Sequence, residues 1–302
     1  MITTKNAWPT LEWNEWRDTA TTLHMWTQIV GKVRLELTPL QNHWWNVPLY
    51  VSSRGLTTSL IPYGSEAFEV EFDFNEHVLE IRTSWAAAVR LKLRPQSVAA
   101  FYAEFLDALA ALTIDVTLYD KPVEISAPIP FPEDYAHASY NADAAHRFWR
   151  ILVSVDAVLK QFRAQFIGKS SPVHFFWGSF DLAATRFSGR AAPEKPGVDE
   201  VTREAYSHEV ISAGFWPGTD AFPNPAFYCY AAPSLARLDE ELVRPAAAYW
   251  DKNLGEFILK YDDIRAAESP ETLLMEFLDS TYEAAARLGK WDRAALERHP
   301  KV

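Results

Sequence analysis

One cysteine among 302 residues, Cys229, excludes an intramolecular disulfide. Within Phe227-Tyr228-Cys229-Tyr230 it reads as a small buried apolar group. No apolar run approaches the ~18 residues that a membrane span requires. The first ten residues hold neither the basic nor the apolar segment of a secretory leader, so a reducing cytoplasm is the expected location. Positive charge is also short: 29 Lys and Arg stand against 40 Asp and Glu, a net charge of −11, without any long block of like charges. Neither nucleic acid nor a membrane surface is an expected partner for such a chain.

Familiar catalytic motifs are missing as well. Gly168-Lys169-Ser170 resembles the end of a phosphate-binding loop, but Arg163 stands where that loop needs its first glycine, and the string follows a helical pattern instead of a strand. His208-Glu209 begins like a helical zinc motif, yet Ser212 occupies the place of the second histidine. There is no G-x-S-x-G elbow, no G-x-G-x-x-G turn and no CxxC pair. The sequence names no cofactor.

What the chain has is rings: 12 Trp, 12 Tyr and 18 Phe against 3 Met, enough rigid apolar area for a well-defined core. These rings fall into two similar halves. The first, residues 1–115, opens on a helix with the stripe Trp13, Trp16, Leu23, Trp26, Val30, Val33 and Leu37, beside which His24, Gln28 and Lys32 form an ordinary solvated flank or, as the alternative, reach the edge of a pocket. Strand-like segments follow at 46–53, 56–63, 68–74, 78–84 and 89–93, in which Phe68, Val70, Phe72 and Phe74 alternate with Glu69, Glu71 and Asp73 on a wet face. A helix over 97–112 closes the half.

The second half, residues 142–302, repeats the order. Its opening helix carries Phe148, Leu152, Val155, Leu159, Phe162 and Phe166, and the interval from Trp149 to Pro172 matches that from Trp26 to Pro48 within one residue. Glu104-Phe105-Leu106-Asp107 recurs as Glu276-Phe277-Leu278-Asp279 in the closing helix. A proline-rich connector, 116–141, joins the halves as an extended spacer, and loops around 189–197, 216–225 and 233–245 enlarge the second half. The expected fold class is α+β: two pseudo-repeated halves, each a mainly antiparallel sheet with an opening and a closing helix.

Polar residues gather in two strings of the second half, Ser170 to Arg190 and Arg203 to Gly218. Read as one strand, residues 172–182 put Asp181 with Trp177 and place His174 on the opposite face among phenylalanines. Tyr206, His208 and Trp216 share a face of the second string, with Glu209 on the other. Arg186 and Arg190 suit an anion, His208 an acid/base role supported by Asp181 or Glu209, and Trp177 and Trp216 the walls of a pocket in which Tyr206 and His174 are further ligand-binding residues. The expected ligand is a small, anionic molecule taken up by an enzyme or a sensor. Two alternatives stand beside it: a non-catalytic interaction protein in which these groups are structural, and a metal-dependent enzyme using His174 and His208.

The strings SPVHFFWGSFDLAATRFSGR, EAYSHEVISAGFWPG, LGEFILKYDDIR and LHMWTQIVGKVRLEL are similar to those of the uncharacterised bacterial family DUF5996, over about Trp8 to Leu296. The resemblance implies a cytoplasmic bacterial protein and transfers no activity, ligand or catalytic residue.

Overall fold

The computed structural model describes residues 7–194 and 196–298. Helix α1 (Trp13–Leu37) forms where the apolar stripe predicts it, with Trp16, Leu23, Trp26, Val30 and Val33 fully buried. Its polar flank is not solvated. Gln28 is fully buried and Lys32 nearly so, because the connector folds back over that side of the helix. Gln28 Nε2 donates to the Val123 carbonyl at 2.8 Å, and the Val123 amide donates to Gln28 Oε1 at 2.8 Å. The side-chain amide thus satisfies backbone groups of a segment that has no strand partner. The connector is extended, as its prolines dictate, but Leu118, Phe131 and Tyr140 are buried and make it part of the core instead of a spacer.

The first sheet contains β1 (Tyr50–Val51), β2 (Gly55–Thr57), β3 (Ile61–Tyr63), β4 (Glu66–Asp73), β5 (Val78–Thr83) and β6 (Ala88–Lys92). The order is β1-β2-β4-β5-β6, with β3 also paired to β4, all antiparallel. Phe68, Val70 and Phe72 are buried on one face. The opposite face is ion-paired, not simply wet: Glu69, Glu71 and Glu80 converge on Arg82, and Arg54 covers Asp73. Helix α2 (Val98–Ala111), capped by Ser97 accepting from the Ala100 amide, closes this half.

Helix α3 (Ala142–Ala164), capped by Asn141, opens the second half. There follow β7 (His174–Phe176), β8 (Asp181–Ala191), α4 (Glu200–Ala205), β9 (His208–Trp216), β10 (Ala226–Ala232), β11 (Tyr249–Asp251) and β12 (Glu256–Lys260). Helices α5 (Tyr261–Arg265), α6 (Pro270–Leu288) and α7 (Arg293–Leu296) complete the described chain. The second sheet is antiparallel in the order β11-β12-β10-β9-β8-β7. Its residues Leu182, Phe215, Phe227 and Leu259 lie in register and join the main core.

The segment 172–182 is a hairpin, not one strand: β7 and β8 are separated by a turn at 177–180, with Phe180 in the left-handed region (φ 60°). This reverses the expected facing, because Phe176 pairs with Asp181 and His174 with Ala183, so His174 and Asp181 lie on the same face.

The two sheets meet where Leu49 and Phe175 exchange backbone hydrogen bonds of 2.9 Å in both directions. The opening strands of the halves therefore pair antiparallel. Helices α2, α1, α3 and α6 are successive neighbours in the helical layer. The repeated string occupies equivalent places: Phe105 and Phe277 are buried, Glu104 pairs with Arg94 at 2.7 Å and Glu276 with Arg244 at 3.2 Å.

Candidate functional site

Strand alternation sorts the expected residues onto the two faces of the second sheet. Arg186 pairs in register with Ile211, so it points toward the helices together with Glu209. Its Nη2 donates to the Phe162 carbonyl and to Gln165 Oε1, and its Nε is buried without a hydrogen-bond partner. The guanidinium carbon lies 3.4 Å from the centre of the Phe162 ring and 4.2 Å from that of Tyr282. No carboxylate of the described residues reaches ion-pair distance. Burial pushes the Arg186 pKa down to about 10, opposed by Tyr282, Asp279 and Glu297.

Arg186 lines a cleft of about 240 Å³ with Gln165, Asp279, Tyr282, Arg293, Glu297 and Arg298, and also Glu283. Arg293 is held by Glu297 in a two-pronged contact of 2.5 and 3.1 Å. Arg298 donates its Nε to the Ala164 carbonyl at 2.9 Å and, among the described residues, has no acidic partner. Burial raises the pKa of Asp279. The cleft thus combines an acidic wall with two guanidiniums that no described carboxylate approaches to ion-pair distance.

Arg190 does not join Arg186 there. A bulge between Phe187 and Ala191 redirects the chain, and Arg190 binds Glu209 at 2.6 Å, the Gly289 carbonyl at 2.5 Å and the Lys290 carbonyl at 3.2 Å. It caps the end of α6, where a cation is favoured. Glu209 is occupied by this contact and by Ser188 Oγ at 2.8 Å. Trp177 is not a wall of the cleft: its Nε1 donates to the Val47 carbonyl at 2.8 Å, and its ring presses on Gly31 of α1.

The other face of the second sheet carries Asp181, His174, Trp216, Tyr206 and His208. Asp181 accepts from Ser179 Oγ at 2.9 Å and from Tyr228 Oη. Burial, partly offset by these bonds, raises its pKa to about 6. Glu256 rises to about 7 through burial and the charges of Asp181 and Asp251, and Glu124 is raised chiefly by burial. Trp216 stacks on Tyr228 with centres 5.0 Å apart, and Tyr206 shares a 2.8 Å hydrogen bond with Tyr230.

His174 is fully buried with neither ring nitrogen hydrogen-bonded, edge-on to Trp45, Tyr50 and Phe176. Burial, reinforced by Arg34 and Arg163, lowers its pKa to about 3. His208 belongs to a different neighbourhood. His174 shares a register with Ala183 and Gly214, whereas His208 lies six positions before Gly214 on β9, with the rings of Trp45 and His43 between the two histidines. No group of three or more potential metal ligands occurs among the described His, Cys, Asp and Glu side chains.

His208 instead approaches His43, with ring centres 5.6 Å apart. His43 Nδ1 donates to the Glu204 carbonyl at 3.0 Å, and its Nε2 accepts from Lys169 Nζ at 2.6 Å. Sequence reading missed His43, Lys169, Glu204, Tyr228 and Arg298, since their contacts span distant parts of the chain and leave no local spacing. The left-handed pair His43 and Trp44, each with φ 59°, is likewise silent in a string without glycine.

Two antiparallel sheets under one layer of helices, with a charged cleft at the helical side, define an α+β protein of two similar halves. No helix of the described chain is long and apolar enough to cross a membrane. The chain belongs to the family described as "Family of unknown function (DUF5996)", which matches residues 8–298. No curated protein and no solved structure matches it.

Proposed function

We propose that the protein binds a small molecule bearing a carboxylate or phosphate in the cleft above Arg186. The observation that carries this reading is a buried guanidinium without a carboxylate partner at a cleft of about 240 Å³. Buried charges ordinarily have such partners, and a planar fork of donors suits a planar or tetrahedral anion. Arg298 supplies a second cation, while Asp279 and Glu283 favour a ligand that also carries a hydroxyl or an ammonium group.

Thermal-shift measurements with a panel of carboxylates, phosphate esters and amino acids test the proposal. A ligand at a hundred times its Kd adds ~2.7 kcal/mol to stability. Arg298→Ala, at an exposed position, is expected to weaken the response without unfolding the chain. Stabilisation equal in the parent, Arg298→Ala and Arg186→Lys overturns the assignment, as does a response to none of the panel. A structural role for Arg186 has its own support in the Phe162 and Tyr282 stacking. It alone is left if Arg186→Lys lowers stability and no ligand responds.

A further inference from the structure

The contact between Lys169 and His43 lies on the other face of the sheet and is independent of the Arg186 cleft. Lys169 has no carboxylate partner among the described residues; its polar neighbour is an imidazole nitrogen. Because a carbonyl oxygen can only accept, the bond from His43 Nδ1 to Glu204 O fixes the proton on Nδ1 and leaves a lone pair on Nε2. The His43 backbone amide also donates to Glu204 Oε1 at 3.2 Å, anchoring the residue from a second direction. His43 is 6% exposed, whereas Lys169 is an exposed residue.

This is an uncommon setting for a lysine. Its Nζ lies 5.0 Å from the centre of the Phe187 ring and 5.4 Å from that of Trp45, and the nearby His208 donates Nδ1 to Ser207 Oγ, itself bound to Glu204 O. Among the described residues, nothing anionic holds the ammonium form. The left-handed backbone at His43 and Trp44 costs free energy at both residues, and it is retained where it delivers the imidazole to the amine.

We propose that Lys169 is a nucleophilic amine, with His43 as its proton acceptor, that condenses with an aldehyde or ketone. The Nζ lone pair forms a bond to the carbonyl carbon while the C=O π pair moves to oxygen. One Nζ proton passes to His43 Nε2 and on to that oxygen, giving a carbinolamine. The remaining Nζ proton then leaves through His43 as the hydroxyl departs as water, so that amine and carbonyl give an imine and one water. Desolvation lowers the pKa of both Lys169 and His43, which favours the free amine and the neutral imidazole.

The test is competitive labelling of the whole protein with pyridoxal, trapped by borohydride and read at every lysine by peptide mass spectrometry from pH 6 to pH 10. Lys169 is expected to react several-fold faster than the other exposed lysines at neutral pH, with its rate curve displaced to lower pH. His43→Asn, chosen because asparagine tolerates the left-handed backbone, is expected to return Lys169 to the common rate. A parent protein in which Lys169 follows the same pH curve as the other lysines overturns the proposal whether or not the variant folds. Unchanged selectivity in a folded His43→Asn variant overturns the role of His43.

Discussion

Tyr228 donates its hydroxyl proton to Asp181 across a neighbouring strand, in a place where both side chains are cut off from water. Desolvation raises the Asp181 pKa, whereas this bond lowers it, and desolvation wins: the folded value is about 6 against an ordinary 3.8. The folded state therefore holds the proton more tightly than the unfolded chain. The resulting stabilisation is complete below about pH 4 and is lost as pH rises through about 6. In Asp181→Asn the difference from the parent should shift in the variant's favour between those values, by up to about 3 kcal/mol. Urea unfolding of both proteins at pH 4 and pH 7 measures it, and a pH-independent difference would contradict the buried-acid account.

His174 gives the opposite sign. Its folded pKa of about 3 lies below the ordinary 6.5, so its contribution is present above pH 6.5 and is lost as the pH falls toward about 3. Its two nitrogens lack partners, which carries a cost of about 1–3 kcal/mol for each unsatisfied polar group. His174→Leu is expected to melt higher than the parent, with the margin larger at pH 5 than at pH 8. A lower melting temperature at both values would show that the imidazole has a partner.

Gly31 sits inside α1, where alanine is ordinarily better by about 1 kcal/mol. Here an added Cβ would stand 2.3 Å from Trp177 Nε1. Overpacking of this kind costs about 1–3 kcal/mol, so Gly31→Ala is expected to destabilise the protein despite the propensity gain. Calorimetry of the variant checks it; the double variant Gly31→Ala, Trp177→Leu should recover part of the loss.

Gln28 holds both backbone groups of Val123. Gln28→Leu keeps the volume and removes the bonds, at an expected cost of at least about 2 kcal/mol. Hydrogen exchange should show the Val123 amide losing protection before those of β4. Protection unchanged at Val123 would mean that the connector is fastened by its apolar side chains alone.

The elements with local periodicity were legible in the sequence. The α1 stripe, the alternation in β4 and the two EFLD strings predicted helices and strands that the structure contains, because each pattern is imposed by one segment against one core. The turn between β7 and β8 was hidden, since the alternation runs on through it; Gly178-Ser179 was the available signal. The connector and the α1 flank were misread because their burial depends on each other, and neither segment alone shows it. At the site, alternation separated His208 from Glu209, as the structure has them. It could not show that a bulge turns Arg190 away from Arg186, or that His43 comes within reach of Lys169.

The pairing of Leu49 with Phe175 also bears on behaviour at high concentration. An open sheet border invites other chains to add to it, and two such borders here are consumed by each other. What is left is poor template. Strand β3 presents Pro62, which has no amide proton to offer; β6 carries Arg90 and Lys92; β11 is three residues long. Joining the halves at this seam therefore leaves fewer open backbone donors and acceptors to which another chain could add.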